Sequence, residues 1–132
     1  MKFKKIVTDK APEAIGPYSQ GIAFKNILFT SGQIPINKEL QIIPDGIFEQ
    51  TRVCLQNIKF IVEASNFKIN EIIKIIIYTT QLEKLEKIND SYRKFFDSYK
   101  MILPARTCIG VSKLPKNVSI EIEAIALKSK QK

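Results

Sequence analysis

The spacing of apolar positions changes several times along this 132-residue chain, and each change marks an element. Residues 2–8 alternate weakly, through Phe3, Ile6 and Val7, and predict a short edge strand. Residues 9–20, DKAPEAIGPYSQ, hold Pro12, Gly16 and Pro17 and predict an ordered loop. Two apolar stretches, Gly21–Phe24 and Ile27–Ser31, flank Lys25-Asn26. That is hairpin spacing, with Asn26 suited to positive φ. A long loop follows over 32–46, rich in Gly and Pro. From Ile47 the period becomes helical: Thr51, Cys54/Leu55, Ile58, Ile61/Val62 and Ser65 form one stripe. Asp45 is the candidate cap and Asn66 the candidate stop. Glu71–Gln81, EIIKIIIYTTQ, is apolar and β-branched on both faces, which predicts a central strand. A second helix is expected from Leu82 to Tyr99, burying Leu85, Ile88, Tyr92, Phe95/Phe96 and Tyr99. Ala105–Ser112 and Val118–Leu127 read as two strands joined by a turn at Pro115-Lys116-Asn117.

The order β, ββ, α, β, α, ββ predicts an α+β two-layer fold, with about six strands in a mixed sheet and both helices on one face. Length predicts a single domain over 1–132. The other face of the sheet is then bare. Along the last strand, Val118, Ile120, Ile122, Ala124 and Ala126 suit the helix layer. Ser119, Glu121, Glu123, Ile125 and Leu127 point the other way and mix carboxylates with large apolar groups. Burial of that face against other subunits is the expectation.

Composition narrows the chemistry. The chain has no His, which removes Ser-His-Asp and Cys-His nucleophile pairs and His-based zinc sites. A general base near neutral pH must then be a carboxylate, Lys, Tyr or Cys. The net charge is +8, but 18 of 21 basic residues are Lys, beside 23 Ile and seven Asn. These residues share A/T-rich codons, so codon drift is favoured over a nucleic-acid surface. Six of the lysines fall in the terminal tails (2, 4, 5, 128, 130 and 132), and residues 6–127 carry 15 basic against 13 acidic side chains. Most of the charge is thus a tail property, and tails are expected to be solvated and mobile. Cys54 and Cys108 form no paired motif, which suits reduced thiols. The N-terminus meets Asp9, Lys10 and Pro12 before any apolar core of a signal peptide can form. The expectation is a cytoplasmic protein with no membrane partner.

Several positions could carry chemistry. Arg106, Cys108, Gly110 and Ser112 share one face of their strand by the two-residue period. Arg is rarely buried unpaired. Arg106 is therefore either half of a structural ion pair or a receptor for a ligand carboxylate, which its planar fork grips with two parallel hydrogen bonds. If the neighbouring strand runs antiparallel, Arg106 and Glu121 share a sheet face. Cys108 reads alone as a small core residue, Tyr18 as loop packing and Asn89 as solvated helix surface. Ser31-Gly32 ends a strand where the backbone can approach a ligand closely.

Taken together, AIGPYSQG (14–21), FTSGQIP (29–35), NDSYRKFF (89–96) and PARTCIGVSKLPKNVSIEIEAIA (104–126) resemble the RidA/YjgF family over nearly the whole chain. The resemblance implies a chorismate-mutase-like fold assembled as a homotrimer. Three sheets would line a central barrel, with a ligand cleft at each subunit interface. It implies a deaminase that hydrolyses reactive 2-imino acids, such as 2-iminopropanoate and 2-iminobutanoate, to 2-keto acids and ammonia. The imines arise on pyridoxal-phosphate enzymes, which the reaction protects. No cofactor or metal is implied. Arg106, Glu121 and Cys108 match the family's catalytic positions, and Tyr18, Ser31, Gly32 and Asn89 its substrate-binding ones. Small departures, at 38–41 and at Lys116-Asn117, touch none of these. Two alternatives stay open: an endoribonuclease or translation inhibitor, and a non-catalytic keto-acid binder or chaperone. No RNA-binding signature supports the first.

Overall fold

The computed structural model describes residues 2–129. The elements follow the predicted order: β1 (Lys4–Ile6), β2 (Gly21–Phe24), β3 (Ile27–Thr30), α1 (Ile47–Ala64), β4 (Ile72–Thr79), α2 (Leu85–Asp97), β5 (Ala105–Gly110) and β6 (Ile120–Leu127). Short 3₁₀ turns occupy Ile69–Glu71, Leu82–Lys84 and Pro115–Asn117. The six strands form one mixed sheet in the order β1-β2-β3-β6-β4-β5. All neighbours pair antiparallel except β4 and β5. That pair is parallel because α2 connects it as a crossover, which parallel strands require.

α1 packs across β6 and β3, and α2 packs beside α1. The predicted stripe of α1 is buried throughout, from Ile47 to Ser65. Against it lie Ile75 and Ile77 of β4 and Ile120, Ile122, Ala124 and Ala126 of β6. Burial of each large aliphatic side chain here contributes roughly 1.5–3 kcal/mol. The opposite sheet face is open. Phe29 (53% exposed), Leu127, Ile109 and Ile27 lie on it, beside Lys74, Tyr78, Glu121 and Glu123.

Several local expectations need correction. β5 and β6 follow one another in sequence but are not neighbours, because β4 lies between them. Arg106 pairs in register with Ile75, which pairs with Ala124, on the helix side. Glu121 pairs with Tyr78 on the open side. Arg106 and Glu121 of one chain therefore lie on opposite sheet faces, not on a shared one. In the β2–β3 turn it is Lys25, at φ 53°, that takes the left-handed conformation, and not Asn26. Gly46 rather than Asp45 caps α1, with no side-chain hydrogen bond. Asn66, at φ 62°, does turn the chain out of the helix, one residue beyond Ser65.

The tails are more ordered than expected. Lys4 and Lys5 belong to β1. The Lys128 N–H donates to Asn26 O (2.8 Å), and its ammonium lies 4.9 Å from the Phe67 ring centroid. Lys130 and Lys132 lie outside the described residues. No helix among the described residues is long and apolar enough to cross a membrane.

Candidate functional site

The structure gathers the predicted site residues into two groups. The first surrounds the end of β3. Phe29 pairs with Ile125, and beyond it Gln33 bridges Ile122. Residues 30–32 thus oppose only 123–124, so the strand carries one extra residue. This is a β-bulge, which re-aims side chains and bends the strand. The Ser31 N–H donates to Gln20 O (2.8 Å) and its hydroxyl to Ser19 O (2.5 Å), tying the bulge to the loop before β2. Gln20 is itself buried, and its amide holds that loop through Thr8 and Pro12.

Tyr18 projects from this loop, about half exposed. Its hydroxyl accepts the Ile15 N–H (3.3 Å), which leaves its own proton free to donate. Tyr18 and Gly32 line opposite sides of a cleft of about 250 Å³, with Gln33, Pro115 and Lys116. The Glu121 carboxylate rests directly on Gly32. A side chain at that position would place its Cβ 2.8 Å from the Glu121 carboxyl carbon. The sequence predicts a ligand close to the Gly32 backbone; the structure shows that the Glu121 side chain uses the absence of a Cβ there. Burial, and secondarily the negative charge of Glu123, push the Glu121 carboxyl above its ordinary range. Glu123 accepts the Tyr78 hydroxyl proton (2.7 Å), and this bond together with burial raises the Tyr78 phenol to about 12.

The second group lies on the helix side, between β5 and α2. The Arg106 guanidinium covers the Tyr92 ring, its Cζ 4.9 Å from the centroid. Arg52 and Arg93 each pair with a carboxylate three residues earlier, at 2.8 and 3.2 Å. Arg106 makes no ion pair and no side-chain hydrogen bond among the described residues. Within one chain, then, Arg106 is not half of an ion pair among the described residues.

Cys108 is half-buried beside it. Burial raises its thiol above the usual range against the opposing charge of Arg106, so it is protonated at neutral pH. Cys54 is fully buried, and burial, then the charge of Glu121, push its thiol far up. Both shifts favour the neutral thiol over the nucleophilic thiolate. Asn89 is not solvated helix surface: its side-chain oxygen is buried without a hydrogen-bond partner. The Tyr92 hydroxyl is in the same state.

Tyr92 is buried in the apolar stripe as the sequence predicts, and its contact with the Arg106 guanidinium is the part the sequence did not foresee. A signal was present, since Asn89 and Tyr92 are three residues apart and share a helix face. Their partner strand only becomes evident once α2 is known to cross between β4 and β5. The bulge at 30–32 had no sequence signal beyond Gly32.

Comparison with known proteins gives the chain a family. The family model described as Endoribonuclease L-PSP matches residues 8–128. The chain is 54% identical over 121 residues to a RutC family protein of Buchnera aphidicola subsp. Schizaphis graminum, covering 92% of this chain and 94% of that one. It is 43% identical over 125 residues to the 2-iminobutanoate/2-iminopropanoate deaminase of Escherichia coli, covering 95% and 98%. A crystal structure of E. coli TdcF with bound serine superposes with a TM-score of 0.93 at 44% identity, covering 96% of this chain and 99% of that one. On the family match and these identities, the chain belongs to the RidA/YjgF family.

Proposed function

We propose that this protein hydrolyses small 2-imino acids to 2-keto acids and ammonia in the cytoplasm, as a homotrimer. The observation that carries the reading is the Arg106 guanidinium, which makes no ion pair and no side-chain hydrogen bond among the described residues and lies over the Tyr92 ring. The printed activity of the E. coli deaminase relative supports it. Glu121 and Arg106 lie on opposite faces of one sheet, so the two cannot serve one small substrate within a single chain. A site that uses both groups therefore needs the Tyr18–Gly32–Glu121 group of one subunit to meet the Arg106–Cys108–Asn89 group of another. The exposed Phe29, Ile109 and Leu127 supply the apolar area for that contact.

In this site Arg106 receives the substrate carboxylate in a bidentate grip. Backbone groups at Gly32 and Cys108 hold the imine end, and Tyr18 and Asn89 close the pocket. Glu121 accepts a proton from a water whose oxygen bonds to the imine carbon. The C=N π pair moves to nitrogen, which takes up a proton and becomes an amine. The resulting carbinolamine collapses: Glu121 passes the hydroxyl proton to the nitrogen, the C=O bond forms as the C–N bond breaks, and ammonia leaves, giving the 2-keto acid. A general base contributes typically 10²–10⁴-fold, which is adequate for a bond that water already attacks unaided. The raised pKa of Glu121 makes its carboxylate a stronger base than an exposed one.

The test is ammonia release in an assay coupled to a serine or threonine dehydratase. Arg106→Ala should lose about 3 kcal/mol of carboxylate binding, about 10²-fold in kcat/KM. Unchanged release by Arg106→Ala overturns the assignment. Running the same preparations against RNA tests the ribonuclease alternative in parallel.

A further inference from the structure

We infer that Tyr92 is a positioning residue for Arg106, its aromatic face serving as the platform that fixes the plane of the guanidinium for a substrate carboxylate. The inference rests on the role given to Arg106 above and adds a residue to it. Three observations carry it. Arg106 stacks on the Tyr92 ring at 4.9 Å and is held by no side-chain hydrogen bond or ion pair among the described residues. An Arg side chain has large rotamer freedom, and a fork receives a carboxylate well only when its plane is set beforehand. Among the described residues, the ring face is the contact that sets it.

The platform itself is rigid. Tyr92 is 6% exposed and packs on Phe96, with ring centroids 4.8 Å apart, and Phe96 is buried in the core. One residue earlier, the Ser91 hydroxyl donates to Phe48 O (2.9 Å), which pins this turn of α2 to α1.

The Tyr92 hydroxyl has no partner, so it contributes no bond to the fold. Burial pushes this phenol up to about 12, against the nearby charge of Arg106, so it is neutral at working pH. Its ring therefore meets the guanidinium as an uncharged π-face and not as a phenolate counter-ion. A cation on an aromatic face gains through the ring quadrupole, and Phe supplies that face nearly as well as Tyr. An aliphatic side chain does not.

Tyr92→Phe and Tyr92→Leu separate the ring from the rest. The affinity for 2-oxobutanoate, measured by calorimetry, and KM and kcat for imine hydrolysis are the readouts. Tyr92→Phe should stay within about threefold of wild type in Kd and KM. Tyr92→Leu should weaken both about tenfold while keeping kcat, because carboxylate anchoring acts on ground and transition states alike. If Tyr92→Leu does not fold, Tyr92→Met, which keeps length without a ring, takes its place. A folded Leu or Met variant within twofold of wild-type Kd overturns the inference, as does a Tyr92→Phe variant as weak as Leu. A wild type that binds 2-oxobutanoate but releases no ammonia removes the proposed reaction and leaves the platform standing. A wild type that neither binds nor turns over removes both.

Discussion

Replacing Gly32 by Ala should disable catalysis while leaving the fold nearly untouched. The new methyl would sit 2.8 Å from the carboxyl carbon of Glu121 and 3.1 Å from its Cγ, with one carboxylate oxygen closer still. Carbon atoms pack comfortably at about 3.5–4.0 Å, so the carboxylate must retreat by roughly 1 Å. Gly32 does not use the left-handed region, so Ala adopts its backbone without strain. Ala also lowers the entropy of the unfolded chain, a stabilisation of about 0.4–1 kcal/mol. Displacing the end of a flexible side chain costs about 0.5–1.5 kcal/mol through its rotamer. These offset, and Tm should stay within about 5 °C of wild type. The effect on turnover is far larger, because a catalytic group misplaced by about 1 Å can cost about 10²-fold. KM should change little, since the substrate carboxylate is anchored by Arg106 and not by the displaced Glu121. The assay is coupled ammonia release with a thermal melt on each sample. A double-mutant cycle supplies the control. Glu121→Gln should lose as much as Gly32→Ala or more, and the double variant should be no worse than Glu121→Gln alone, because both act through one group. A Gly32→Ala enzyme with kcat within threefold of wild type would refute the placement of the working carboxylate over Gly32.

The remaining predictions concern protons. Catalysis needs Glu121 ionised, so kcat/KM should fall as pH drops through its raised pKa; Glu123→Gln removes the like charge and should move that acid limb to lower pH, and a limb that stays put or moves upward refutes the coupling. Glu71 is buried, which by itself raises its pKa, yet bonds from the N–H of Lys68 (2.8 Å) and from the N–H and hydroxyl of Ser129 (3.2 and 3.3 Å) outweigh burial and leave it below the ordinary range. Its stabilisation is thus present above the usual carboxylate pKa of about 4.3 and lost as pH falls through the lowered value. Glu71→Gln should cost about 1–2 kcal/mol at neutral pH by denaturant titration, and the gap to wild type should close in acid; a gap that persists undiminished in acid refutes the assignment.

The sequence patterns were most informative where burial is periodic. The stripe of α1 and the alternation of β6 were readable because each inward side chain repeats at the element's own period. The all-apolar run of β4 was readable as interior for a different reason: both of its edges are paired, so it has no solvent edge to blunt. What could not be read was which strands touch. Chain order places β6 directly after β5, yet β4 separates them, and the parity of that insertion decides that Arg106 and Glu121 face apart. Turn chemistry failed at Lys25 because both favoured two-residue turns need positive φ at the first central residue, and the Phe24–Ile27 pairing makes that residue Lys25 rather than the better-suited Asn26. Individual site residues became legible through their resemblance to a family. Their division into two groups came from topology.

That division bears on the lysine excess as well. β1 pairs only with β2, so its outer edge presents unpaired backbone groups to solvent. Such edges invite pairing with another chain, and lysines are a common means of blocking it. Lys4 and Lys5 stand on that edge strand, both exposed. At the other terminus Lys128 packs on Phe67, beside the Glu71–Ser129 bonds, and helps close the end of the sheet. Three of the tail lysines thus have structural positions that require no nucleic acid. Removing both tails would accordingly strip an edge strand and a latch, not just charge. A charge-only variant, Lys4 and Lys5 each replaced by Gln, is the cleaner way to separate basicity from fold. It keeps β1 and the site intact, so any retention of RNA that depends on those two charges would fall while imine hydrolysis continued.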